Sequence, residues 1–148
     1  MAEYSAIGVQ AVPLRQPVPT TATIPCTRGN VMHENGTGVY ILRGGRGCPA
    51  RYSVRGKSNI AIPTGGTVGP IAVAITVNGE VRGASRAIST PTAVEAYNEV
   101  TSPATITVPC GCCAYVAFEP VPASNDPTVT PAPVINMQDT VVEIIRTA

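Results

Sequence analysis

Apolar positions alternate with small or polar ones along much of the chain, in short runs that end at Gly, Pro, Asn or Asp. The clearest run is Ile71–Val77, IAVAITV. Ile71, Val73, Ile75 and Val77 fall on one side of a strand, and Ala72, Ala74 and Thr76 on the other. One side is therefore large and apolar and the other small. Asn78-Gly79 follows directly, and this dipeptide accepts the positive φ angles of a tight turn, so Pro63–Ser89 is predicted to contain a hairpin. The large side is expected in an intersheet core, and the small side against a neighbouring layer or subunit.

The same pattern predicts strands at Ala22–Cys26, Asn30–His33 and Val39–Arg43, with turns at Asn35–Gly38 and Gly44–Gly47. Arg51–Val54 and Asn59–Pro63 read as two short strands separated by Arg55-Gly56-Lys57-Ser58. Ala93–Val100 has some helical spacing, but Pro91 and Pro103 leave little room for a helix, so a strand is preferred. Ala104–Val108, Cys113–Glu119 and Val134–Thr147 complete the set, with Pro120–Pro133 as a long turn-rich loop. About eight to ten short strands without a confident helix define an all-β chain, a sandwich or jelly roll. No internal repeat points to a solenoid or propeller. Met1–Thr20 holds Pro13, Pro17 and Pro19 and shows no periodicity strong enough to build an element, so residues 1–21 are expected to form an extended N-terminal arm and residues 22–148 the sandwich domain. Such an arm is either disordered or laid along a neighbouring subunit, and its apolar Ile7, Val9, Val12 and Leu14 favour the second.

Composition narrows the partners. Charged residues make up 13% of the 148 residues and the formal net charge is +1, so neither nucleic acid nor an anionic membrane is expected as a partner; proteins are. There is one Phe and no Trp, and Val, Ile, Ala and Thr carry the apolar and β-prone content. The N-terminus does not read as a secretory signal, and no apolar run has the length of a membrane span. Five Cys, with Cys110, Cys112 and Cys113 crowded together, do not look like a secreted disulfide framework and favour a reducing compartment.

No chemistry-bearing constellation emerges. His33 is read as a strand histidine rather than a base or ligand. A zinc site would have to join the Cys110–Cys113 cluster to Cys26, Cys48 or His33, without the separated pairs such sites use, so no metal is expected. Gly56-Lys57-Ser58 ends like a phosphate-binding loop but has Arg51 where that motif needs Gly. Arg43–Gly47 contains an Arg-Gly repeat only once and without interleaved aromatics, so it is read as a solvated loop. An enzyme is not expected, and neither is a cofactor.

Several ordered motifs carry a family resemblance: Ile24-Pro25-Cys26-Thr27-Arg28-Gly29, the stretch Ile60–Ile71 (IAIPTGGTVGPI), Thr90–Val100 (TPTAVEAYNEV) and Val108–Cys113 (VPCGCC). Over residues from about Val12 to Ala148 the chain resembles a family of small phage and prophage structural proteins. Where members tend to read Arg-Gly-Cys-Cys, this chain has Cys110-Gly111-Cys112-Cys113, and its Ser124–Pro133 loop is an elaboration. The resemblance implies a trimeric jelly roll of the tumour-necrosis-factor or C1q type at a virion surface, made in the host cytoplasm, with no catalytic residues. The expected function is then capsid decoration: a homotrimer on the outside of the head that cements the phage major capsid protein. Ile7, Val9, Val12, Leu14 and Arg15 of the arm are expected at the contact. The alternative is a tail, baseplate or head-fibre adhesin that presents Gly44–Gly47 and Ser124–Pro131 to a host glycan or protein.

Overall fold

The computed structural model describes residues 2–22, 31–33, 36–111 and 113–148. In chain order the strands are β1 (Ala2–Pro13), β2 (Thr21–Ala22), β3 (Val31–His33), β4 (Val39–Arg43), β5 (Ala50–Ala61), β6 (Ile71–Val77) and β7 (Glu80–Val81). They continue as β8 (Ala87–Ser89), β9 (Asn98–Val108), β10 (Cys113–Val121) and β11 (Val134–Arg146). A single 3-10 turn, Gly83–Ser85, lies between β7 and β8. Two antiparallel sheets form: a first with the order β2-β1-β11-β5-β9, and a second with the order β3-β4-β10-β6-β7, where β8 also pairs with β6. The expected all-β jelly-roll sandwich is the observed architecture.

Between the sheets lies one aliphatic core. Tyr52, Val54, Ile60, Ile106, Met137 and Ile144 of the first sheet meet Leu42, Val73, Ile75, Val116 and Phe118 of the second. The hairpin at Asn78-Gly79 forms as expected, with both residues at positive φ and Val77 opposite Glu80. Ile71, Val73, Ile75 and Val77 point into the core. The small side of β6 is covered too: Ala72 and Ala74 are buried with Val121 in a second, minor cluster.

Three sequence expectations need correction. Residues 2–13 are not an arm outside the sandwich; β1 pairs with β11 along nearly its whole length and with β2 on its other side, so it is an interior strand of the first sheet. Its pattern is hard to read because its sides are inverted midway. Ala2, Tyr4 and Val12 are buried, Gly8 and Gln10 face inward only half-buried, and Ile7 and Val9 stand exposed. A bulge sets Ile7 and Gly8 against Asp139; Gly8 at φ +89° donates its N–H to Asp139 Oδ1 at 3.0 Å. Second, Arg55–Ser58 is not a turn. β5 runs unbroken, with Arg55 outward, Lys57 outward and half-buried, and Gly56 and Ser58 inward. Third, Ala93–Val100 is strand only from Asn98 onward, and β9 passes straight through Pro103. That proline is tolerated because β9 is an edge strand, where a missing donor faces no partner. The predicted strand Ala22–Cys26 lies mostly outside the described residues.

Gly56 has a packing role. A Cβ placed there would lie 2.6 Å from the ring of Phe118, the chain's one Phe, so the first sheet gives up a side chain where the second inserts an aromatic ring.

Candidate functional site

The expected contact residues sit in three different environments. Ile7 is 92% exposed and Val9 53%, on the outward face of the first sheet. Val12 is only 2% exposed, in the intersheet core, so it is structural and cannot meet a partner. Leu14 and Arg15 belong to a crossing segment that ties the two sheets together. Leu14 N donates to Pro133 O at 2.8 Å, Arg15 N to Pro120 O at 2.9 Å and Val18 N to Phe118 O at 3.1 Å. Arg15 adopts φ +62°, which turns the chain from one sheet to the other.

The outward face of the first sheet is left bare by the described chain. β1 presents Ser5, Ile7, Val9 and Ala11, β11 presents Val141 and Glu143, and β5 presents Arg51, Ser53, Arg55 and Lys57. Arg55 and Glu143 form a 2.9 Å ion pair across the strands. At such exposure the pair stabilises little and serves mostly to keep the face polar around its aliphatic part.

The second sheet carries a groove of about 720 Å³ along its outward face. Its floor is Tyr115, Ala117, Glu119 and Val121 of β10 with Thr76 of β6, and the loop after β10 roofs one end. That loop is anchored by Arg86, whose guanidinium donates to Pro122 O at 3.2 Å and to Asn125 Oδ1 at 3.0 Å. Asp126 closes its own turn, accepting from the N–H and hydroxyl of Thr128 at 2.9 and 2.8 Å, and these bonds hold its carboxyl below the usual carboxylate range. Glu119 differs. It is 8% exposed and has no hydrogen-bond partner among the described residues, and burial pushes its carboxyl up to about 7 against the opposing pull of Arg15. Sequence reasoning passed over Glu119 because a lone Glu at the end of an apolar strand carries no motif. The one available signal was its phase, on the small-residue side of β10 with Ala117 and Val121.

His33 is a packing histidine. Its ring stacks on Tyr40 at 4.7 Å and leans on Tyr4 at 4.4 Å, while Nε2 donates to Thr37 O at 2.8 Å. Thr20 hydrogen-bonds Tyr40, whose buried hydroxyl is held above its ordinary pKa by desolvation. Cys48 and Cys110 are exposed free thiols and Cys113 is half-buried; Cys26 and Cys112 lie outside the described residues. Among the described residues no group of three His, Cys, Asp or Glu side chains is placed to hold a metal ion. Gly56-Lys57-Ser58 is mid-strand, which leaves no loop there to cradle a phosphate. The two loops expected to be presented to a host surface lie at opposite ends of β10. Gly44–Gly47 lies beside Cys110 and Gly111 where β10 begins, whereas Ser124–Pro131 follows its far end.

No family model matches the chain, and no curated protein sequence matches it. Solved structures match by shape. The tumour necrosis factor Eiger from S. frugiperda superposes with a TM-score of 0.63 at 10% identity, over 99% of this chain and 91% of that one. The globular domain of zebrafish complement 1qA gives 0.55 at 14% identity, over 99% and 98%. Murine APRIL gives 0.53 at 11% identity, over 96% and 98%. At these identities the likeness establishes the fold, a jelly roll of the tumour-necrosis-factor and C1q type.

Proposed function

We propose that the chain is a non-enzymatic capsid decoration protein of a phage. In this reading it self-associates as a homotrimer through the outward face of its first sheet and sits on the outside of the head, where it cements the major capsid protein. The observation that carries the self-association is the placement of Ile7 and Val9. A rigid interior strand holds both aliphatic side chains out of its own core, on a face the described chain leaves uncovered. A closed symmetric oligomer is the simplest way to bury such a face without open-ended polymerisation. Support for the virion setting comes from the sequence motifs Ile60–Ile71, Thr90–Val100 and Val108–Cys113, and the tumour-necrosis-factor and C1q fold is the architecture that resemblance implies.

The contact differs in kind from a free arm. Ile7 and Val9 are presented preorganised on β1, so little ordering entropy is lost on association. Sedimentation of the wild-type chain and of an Ile7→Glu/Val9→Glu variant tests it, together with co-sedimentation on phage heads. The expected result is a wild-type trimer that binds heads and a folded, monomeric variant that does not. A monomeric wild type, or a variant that stays trimeric, overturns the assembly; a trimer that ignores heads overturns the decoration role.

A further inference from the structure

The groove on the second sheet has on its floor a carboxyl that takes no hydrogen bond from the described chain. Glu119 is more than nine-tenths buried on the groove floor and hydrogen-bonded to no described residue, with Arg15 acting on it only through its charge, while the polar side chains of the roof loop are engaged. Arg86 and Asn125 bond each other, Asp126 is closed on Thr128, and Ser124 accepts from Asp126 N at 3.1 Å. A carboxyl that faces an open groove and takes no donor from the chain is an acceptor available to a donor from outside it.

The lining defines that donor. Arg15 and Arg86 stand on the groove wall, which disfavours a cation; Glu119 and Asp126 disfavour an anion. The remaining choice is a neutral molecule rich in hydroxyl groups. Its less polar faces would be met by Val81, Val121, Pro122 and Val129, and by the ring of Tyr115, which is 52% exposed. The volume of about 720 Å³ lies within the range of small-molecule sites.

We propose that this groove is a binding site for a neutral saccharide, one hydroxyl of which donates to Glu119 while a sugar ring lies against Tyr115. The roof loop Pro122–Pro131, pinned by Arg86, is the specificity element. The site is on the opposite sheet from Ile7 and Val9, so it stands or falls separately from the proposed assembly.

The test uses the full chain, labelled with ¹⁵N, titrated by NMR with a panel of neutral oligosaccharides: maltotriose, mannotriose, lactose and chitotriose. At least one is expected to shift the amides of Ala117, Glu119, Asn125 and Asp126 together. At pH 8, where the carboxyl is ionised, Glu119→Gln, which keeps the shape, should weaken that binding roughly tenfold or more, as expected for losing a charge-assisted hydrogen bond, and Tyr115→Ala should weaken it without altering the oligomeric state. The proposal is overturned if none of the four sugars moves these amides, if the shifts lie elsewhere, or if Glu119→Gln binds as tightly as the wild type. Tighter binding of spermidine or inorganic phosphate in the groove would also overturn it.

Discussion

The two outward faces of the sandwich are treated differently by the chain itself. On the second sheet the small residues Ala72 and Ala74 are buried by Val121 and the segment after it, and the rest of the face becomes a groove with a roof. On the first sheet the four longest strands lie side by side and nothing described crosses them, so Ile7 and Val9 remain in water. A broad, open face suits another broad surface, and a roofed groove suits a small ligand. On the reading proposed above, the two sheets of one fold would separate assembly from recognition by which face its own loops cover.

Removing β1 probes the open face most severely. Deletion of residues 1–13 is expected to abolish folding outright, because β11 would lose the partner on its whole outer side and the core would lose Tyr4 and Val12. Circular dichroism and thermal melting decide this. A truncated chain that still melts cooperatively would restore the view of these residues as a detachable arm.

The seam between the faces is tested next. Gly56→Ala drives a methyl group into the Phe118 ring and should cost about 2 kcal/mol or more in urea denaturation. Adding Phe118→Leu should recover part of that loss. If Gly56→Ala alone is neutral, the close approach of the two sheets there does not constrain the fold.

The covered face gives the only effect tied to pH. The Glu119 carboxyl ordinarily titrates near 4.5 and holds its proton up to about 7 in the folded chain, so between those values the native state carries more protons than the unfolded one. Stability is therefore greatest below 4.5 and falls as pH rises towards 7, by about 2–3 kcal/mol in all. Glu119→Gln should match the wild type at pH 4 and exceed it at pH 8 by about 1–3 kcal/mol. Equal stability of the two at both pH values would show that Glu119 is not desolvated as described.

Much of this was legible in the residues. Val39–Arg43, the Ile71–Val77 strand with its Asn-Gly turn, and the closing strand from Val134 all appear where alternation places them, since each has one clearly apolar side. β1 was hidden because its exposed side carries Ile7 and Val9 while its inward side carries Gly8 and Gln10, an inversion that alternation alone reads as no strand at all. β5 was split for a related reason: Gly56 has the composition of a turn but is small to admit Phe118. The groove was illegible, because it is made by the approach of residues as distant as Arg15, Arg86 and Glu119, and no local pattern announces it.

The pairing of β1 with β11 has a kinetic side. Tyr4 finds Val142 and Ala2 finds Ile144, so β1, the first of the described strands, must wait for β11, the last of them, before it is flanked on both sides. Non-local pairing of this kind slows folding and keeps the early strand available to wrong partners in the interval. During synthesis β1 leaves the ribosome before the other described strands and β11 after them. Here the Gly8 bulge and Pro13 interrupt the strand's ladder, and such interruptions hinder edge-to-edge pairing with another nascent copy until β11 arrives.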